Sequence, residues 1–188
     1  MASAQTQTTE AGTAIFQIDP SHTVVEFAVK HMMFSTVKGH FAKVSGEIVY
    51  DAVDPTQSSV SASIDAASVE TRDTRRDAHL RSPDFFDVEK YPTITFTSKR
   101  IEPAGEEGSY RIVGDLTIHG VTNEVTLNAS HLGEGKDPWG GIRAGFNATT
   151  TINRKDYGLH YNAPLEAGGV MVGDQVKISL DVEAVKKS

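Results

Sequence analysis

"RRDAHLRSPDFFDVEKYPTITF", residues 75–96, changes period halfway along its length. Its first part continues a charged run, Thr71 to Arg81 ("TRDTRRDAHLR"), whose only β-branched residues are two threonines. That run predicts about three turns of helix. Ser82-Pro83 ends it, because proline disfavours helix in the residue before it. Ser82 or Asp84 is placed to cap a short second turn through "DFFDVEKY". From Thr93 the period becomes two, with Ile94 and Phe96 on one face, which predicts a strand. A helix is therefore expected as an insertion between strands.

The flanking sequence confirms that strands dominate. Upstream, Val25, Phe27, Val29 and His31 alternate with Val24, Glu26, Ala28 and Lys30. Val37 to Asp51 reads as a second strand, in which Gly39 and Gly46 suggest a bulge or sharp bend. Val60, Ala62, Ile64 and Ala66 share one face of a third. Downstream, "YRIVGDLTIHG" and "VTNEVTLNASHL" form a pair joined at Gly120. Phe146, Ala148, Thr150 and Ile152 alternate in the next strand, and Val176, Ile178, Leu180 and Val182 in the last. "KDYGLHYNAPLEAGGVMVGD" between them is a long irregular connection.

About eight strands joined mostly by short loops predict an all-β fold. The expected form is an eight-stranded antiparallel up-and-down barrel with one or two short helices covering it, since closure removes exposed sheet edges. A β-sandwich is the alternative. Residues 1–14, rich in Ala, Thr, Gln and Ser, read as a disordered tail, and residues 15–188 as one domain. Several candidate inward residues are small: Ala62, Ala66, Ala129, Ala144, Ala148 and Gly46. They either leave room for a ligand or are filled by bulky neighbours, and both readings stand at this level.

The 188 residues carry a formal charge of -7 and no cysteine. The acidic balance argues against nucleic acid, whose phosphates need clustered Lys and Arg. It also disfavours adsorption to anionic lipid headgroups. Without cysteine there is no disulfide, thiolate metal site or Cys nucleophile. No stretch approaches the roughly 20 apolar residues of a membrane span, so no stable membrane insertion is expected. The first residues hold no apolar signal core, which leads us to expect a cytoplasmic protein, or a periplasmic one if a leader has been removed.

Motifs for chemistry are sparse. His22, His31, His40, His79, His119, His131 and His160 form no HxH or HExxH pattern, and no metal is expected. There is no GxSxG elbow and no phosphate-binding glycine loop, so no catalytic residue is assigned. The strongest polar signal is Arg72, Arg75, Arg76, Arg81 and Lys90, close in sequence to Phe85, Phe86 and Tyr91, with His79 and Leu80 on the helix's inner face. These arginines either meet an anionic head group or form a solvated face countered by Asp73 and Asp77.

The opening stretch has four companions: "DPSHTVVEFAVKHMMFSTVKGHF" before it, then "GDLTIHGVTNEVTL", "GFNATTTINRKDYGL" and "GGVMVGDQVKISLDVEA" after it. Together these five ordered blocks resemble the YceI-like family, from about Phe16 to Val185. The resemblance implies a lipocalin-like barrel with a helix at its side or mouth. It also implies a long-chain isoprenoid lipid, such as an isoprenoid quinone or a polyprenyl phosphate, in an apolar tunnel for storage, transport or protection. On that basis the ligand-contacting residues expected are Phe27, Val29, Met32, Met33, Phe34, Phe41, Phe85, Phe86, Tyr91, Ile94, Phe96, Phe146 and Ile152. Arg75, Arg76, His79 and Arg81 are the head-group candidates. The protein is then no enzyme and needs no cofactor beyond the lipid itself, and homodimers occur in the family. Two other readings remain: an enzyme acting on a bound amphiphile through His79, Asp77 or His31, and a stress-related structural module with a filled core.

Overall fold

The computed structural model describes residues 12–188, so most of the expected N-terminal tail lies outside it. The barrel starts slightly earlier than expected. β1 (Thr13–Ile18) already includes Ala14, paired with Tyr50.

Eleven strand segments build eight barrel strands among the described residues. The first three barrel strands are each broken once. β1 and β2 (Val24–His31) form the first, β3 (Ser35–Phe41) and β4 (Val44–Asp51) the second, and β5 (Ser59–Asp65) and β6 (Val69–Glu70) the third. β7 (Thr93–Pro103), β8 (Ser109–Ile118), β9 (Val121–Lys136), β10 (Ile142–Asn153) and β11 (Val172–Lys186) are continuous. Each strand pairs antiparallel with its neighbour, and β11 closes the ring by pairing with both β1 and β2. Among the described residues, closure pairs every strand on both sides except β6, which pairs with β3 alone and whose Val69 carbonyl is taken by Arg81.

The three breaks lie side by side and have a local cause. Asp19 accepts a hydrogen bond from Ser21 N, and Asp65 accepts one from Ala67 N, so each starts a single 3-10 turn. Between them, Ala42 N and Lys43 N both donate to Ser68. The bend in the second strand therefore falls at Ala42-Lys43, not at the glycines. Gly39 and Gly46 serve close approach instead: a Cβ on Gly39 would collide with the Phe27 ring, and one on Gly46 with the Ser61 carbonyl.

The strand ends define two ends of the barrel. One carries the β2–β3 turn, the β8–β9 turn, the connection after β10, and α1 (Thr74–Arg81). Asp73 caps α1 by accepting from Arg75 N and Arg76 N. The helix is shorter than the charged run suggests because Arg72 takes a left-handed conformation (φ 65°) just before the cap. The expected second helical turn is a set of tight turns, with Phe86 N bonded to Leu80 O and Asp87 N to Ser82 O. The β8–β9 turn has two residues, His119 and Gly120, both at positive φ, the geometry that suits the twist of a hairpin.

Candidate functional site

The alternating faces read from the sequence converge on one internal cavity of about 420 Å³. Val25, Phe27, Val29 and His31 from β2 line it, as do Phe146, Ala148, Thr150 and Ile152 from β10 and Val176, Ile178, Leu180 and Val182 from β11. Period two puts every second side chain of each strand inside, which makes a long apolar wall without any single motif. Of the small inward candidates, Ala62, Ala129 and Ala148 face this space, whereas Ala66 and Ala144 are packed solid in the core.

At the helix end, α1 and the turns after it plug the barrel. Leu80, Phe85 and Phe86 reach the cavity. Phe86 meets Phe41 edge-on at 5.6 Å, and Phe41 packs at 5.7 Å against Phe27. Phe85, His79 and Tyr161 form a triangle of rings about 5 Å apart. The connection after β10 completes this end. Arg154, only 3 % exposed, fastens it through four carbonyls: those of Gly173, Leu159, Tyr161 and Val172. Burial holds this guanidinium below its usual pKa, with Asp174 partly offsetting the shift.

At the opposite end the polar lining consists of Tyr50, Ser58, Tyr110, Ser130 and His131. Tyr50 Oη lies 3.3 Å from His131 Nδ1. The Tyr50 hydroxyl is pushed above its usual pKa, first by burial and then by Tyr110, Glu134 and Asp51.

Nine of the ligand candidates sit on the cavity wall: Phe27, Val29, Phe41, Phe85, Phe86, Ile94, Phe96, Phe146 and Ile152. Four do not. Met32, Met33 and Phe34 form the β2–β3 turn, beyond the end of the barrel, where Phe34 is 85 % exposed. Met33 leans on Gly169 rather than on the cavity. Tyr91 supports the β8–β9 turn, with its ring 4.7 Å from His119 and under Gly120.

The head-group candidates also divide. Arg75 lies on the outer face of α1, and Arg81 spends its guanidinium on the carbonyls of Ala67 and Val69. Arg76 and His79 do reach the cavity. Arg76 is held by the Thr71 hydroxyl and carbonyl, both at 2.7 Å, and His79 Nε2 by Asp84 at 2.8 Å. Asp77, weighed above as an acid or base, is buried and accepts from Thr71 N and Oγ1. Sequence reading missed Tyr50, His131, Arg154 and Tyr161. Phase alone could have found His131, which follows Val125, Leu127 and Ala129 on one face of β9. Tyr161 lies in irregular chain, where no period points anywhere.

A closed up-and-down β-barrel around an apolar cavity places the chain in the class of small barrels wide enough to hold one ligand. Within that class, the model of the YceI-like domain matches residues 16–184, and the chain belongs to this family. A UPF0312 protein of Pseudomonas putida (strain W619) is 38 % identical over 180 residues, covering 95 % of this chain and 90 % of the relative. The crystal structure of Burkholderia cenocepacia BcnA superposes with a TM-score of 0.78 at 26 % identity, covering 88 % of this chain and 98 % of that one. A polyisoprenoid binding domain from Saccharophagus degradans, implicated in plant cell wall breakdown, has a TM-score of 0.65 at 17 % identity. It covers 92 % of this chain and 98 % of that domain, a likeness of fold.

Proposed function

We propose that this protein is a non-catalytic carrier that holds the chain of an isoprenoid lipid inside its barrel. The observation that carries the reading is the 420 Å³ apolar cavity, walled by the inward faces of the barrel strands. A polyprenyl chain has no hydrogen-bonding groups, so its affinity must come from apolar burial, at about 25 cal/mol per Å². The family membership and the polyisoprenoid-binding neighbour point to the same ligand class. The open cavity argues against a structural module with a filled core. An enzymatic role is disfavoured by Asp77, whose Oδ1 accepts both Thr71 bonds, and by His79, whose Nε2 is held by Asp84.

Two measurements test this. Native mass spectrometry of the purified protein, followed by organic extraction, is expected to yield a lipid of isoprenoid mass. Protein that is empty and takes up no added polyprenyl lipid contradicts the proposal. Ala148→Trp, which fills the middle of the cavity, is expected to abolish uptake while the β-sheet circular dichroism is kept. Overpacking should cost about 1–3 kcal/mol of stability.

A further inference from the structure

The two ends of the cavity differ in chemistry. At the helix end the cationic groups are Lys30, Arg76 and Arg154, and each is engaged by protein oxygens, Lys30 by the Thr36 hydroxyl, Arg76 by Thr71 and Arg154 by four carbonyls. At the opposite end no Lys or Arg lines the wall among the described residues. There, His131 stacks on Phe146 with ring centroids 5.0 Å apart and lies 4.7 Å from the Tyr50 ring. Its Nδ1 meets Tyr50 Oη, while its Nε2 is shielded from water and has no hydrogen-bond partner among the described residues. An unpaired buried ring nitrogen is costly and rare, and calls for an occupant.

We propose that the end of the cavity opposite α1 is the subsite for an uncharged, oxygen-bearing head group, hydrogen-bonded by His131 Nε2 and packed against Tyr50 and Phe146. The proposal rests on the lipid-cavity reading above. A hydroxyl fits best, because it donates to a bare Nε2 or accepts from Nε2–H and so suits either tautomer. A carbonyl fits the tautomer that carries the proton on Nε2. The broad second torsion of histidine lets a small turn of the ring present this nitrogen to the cavity. A phosphate fits poorly: no Lys or Arg lines this end among the described residues, and Glu134 and Asp51 bear on the Tyr50 hydroxyl beside the ring. A charged group desolvated there without a partner would weaken binding. The sequence signal for this subsite is a single polar residue in phase with the apolar face of β9.

The test compares three probes of one chain length on the full, lipid-stripped protein: a polyprene hydrocarbon, its alcohol and its monophosphate. The alcohol is expected to bind roughly tenfold tighter than the hydrocarbon, the worth of one good hydrogen bond, and tighter than the monophosphate. His131→Leu should erase the advantage of the alcohol over the hydrocarbon. Tightest binding by the monophosphate, or equal weakening of alcohol and hydrocarbon by His131→Leu, overturns the proposal. Should the hydrocarbon itself fail to bind, the lipid-cavity reading falls, and the subsite with it. A measurement on the unmutated protein guards against a misfolded variant. The ¹⁵N resonance of His131 Nε2 should move on adding the alcohol and stay in place with the hydrocarbon; the same movement with both overturns the proposal.

Discussion

Gly39 is where one missing methyl group shapes the cavity. Its position on β3 faces Phe27 on β2, and the Phe27 ring lies where a Cβ would be. Thr71 closes the same spot from the other side. Gly39→Ala must therefore push a cavity-lining ring inward or prise β3 from the Thr71 segment. We expect a loss of about 1–3 kcal/mol in urea unfolding, with reduced lipid capacity. A variant as stable as the wild type, with unchanged uptake, would show that Phe27 moves freely. Gly120 is a second position of this kind: at φ 72° its Cβ would lie 2.5 Å from Tyr91 Cε1. The spacing of the glycines suggested bends, but a strand glycine serves either a bend or a close approach. Only the neighbour across the sheet distinguishes the two.

Arg154 acts at the scale of an element. It follows β10 in the sequence, and its four carbonyl partners lie in the connection between β10 and β11 and at the start of β11. The connection needs a fastener because it is too irregular to satisfy its own backbone. Arg154→Met keeps much of the side-chain volume but strands those carbonyls. We expect about 3 kcal/mol or more of destabilisation. Amide exchange should accelerate between Leu159 and Val172 while β7 and β8 stay protected; uniform acceleration would place its effect elsewhere. α1 depends on a simpler device, its Asp73 cap. Asp73→Ala should cost about 1 kcal/mol and leave the remaining barrel unchanged, as read by thermal melting.

Closure is the property of the whole molecule, and Arg143 helps to hold it. From β10 it reaches Asp19 at 2.7 Å, Glu183 at 2.6 Å and Asp137 at 3.0 Å. It thus ties the break between β1 and β2, the closing strand and the β9–β10 turn together. The Arg143 guanidinium, with His22 second, holds the Asp19 carboxyl well below its ordinary value of 3.8. Folded protein therefore binds fewer protons than unfolded chain below that value. The contribution is whole above about pH 5 and is lost as pH falls through the ordinary value toward the lowered pKa. Arg143→Met is expected to lower the urea midpoint at pH 6 and to flatten its fall between pH 4 and pH 2. Parallel pH profiles for the two proteins would contradict the coupling. Occupation of the cavity acts on the same equilibrium: lipid at 100 times its Kd should add about 2.7 kcal/mol, visible as a higher melting temperature.

The amino-acid sequence by itself determined the barrel and most of its inner face. Period two in β2, β7, β10 and β11 names which side chains turn inward, because a strand has only two faces and one must be apolar. That is why nine of the thirteen ligand candidates lie on the cavity wall. Tertiary structure alone decided the rest. The β2–β3 turn carries Met32, Met33 and Phe34 past the rim, where hydrophobicity says nothing of position. The charged run of α1 does not reveal that Arg76 and Arg81 spend their donors on protein oxygens. Nor could periodicity foresee the unpaired nitrogen of His131, since whether a polar atom finds a partner depends on strands far apart in the chain. Alternation is local and survives in the sequence; hydrogen-bond satisfaction is settled only when the ring closes.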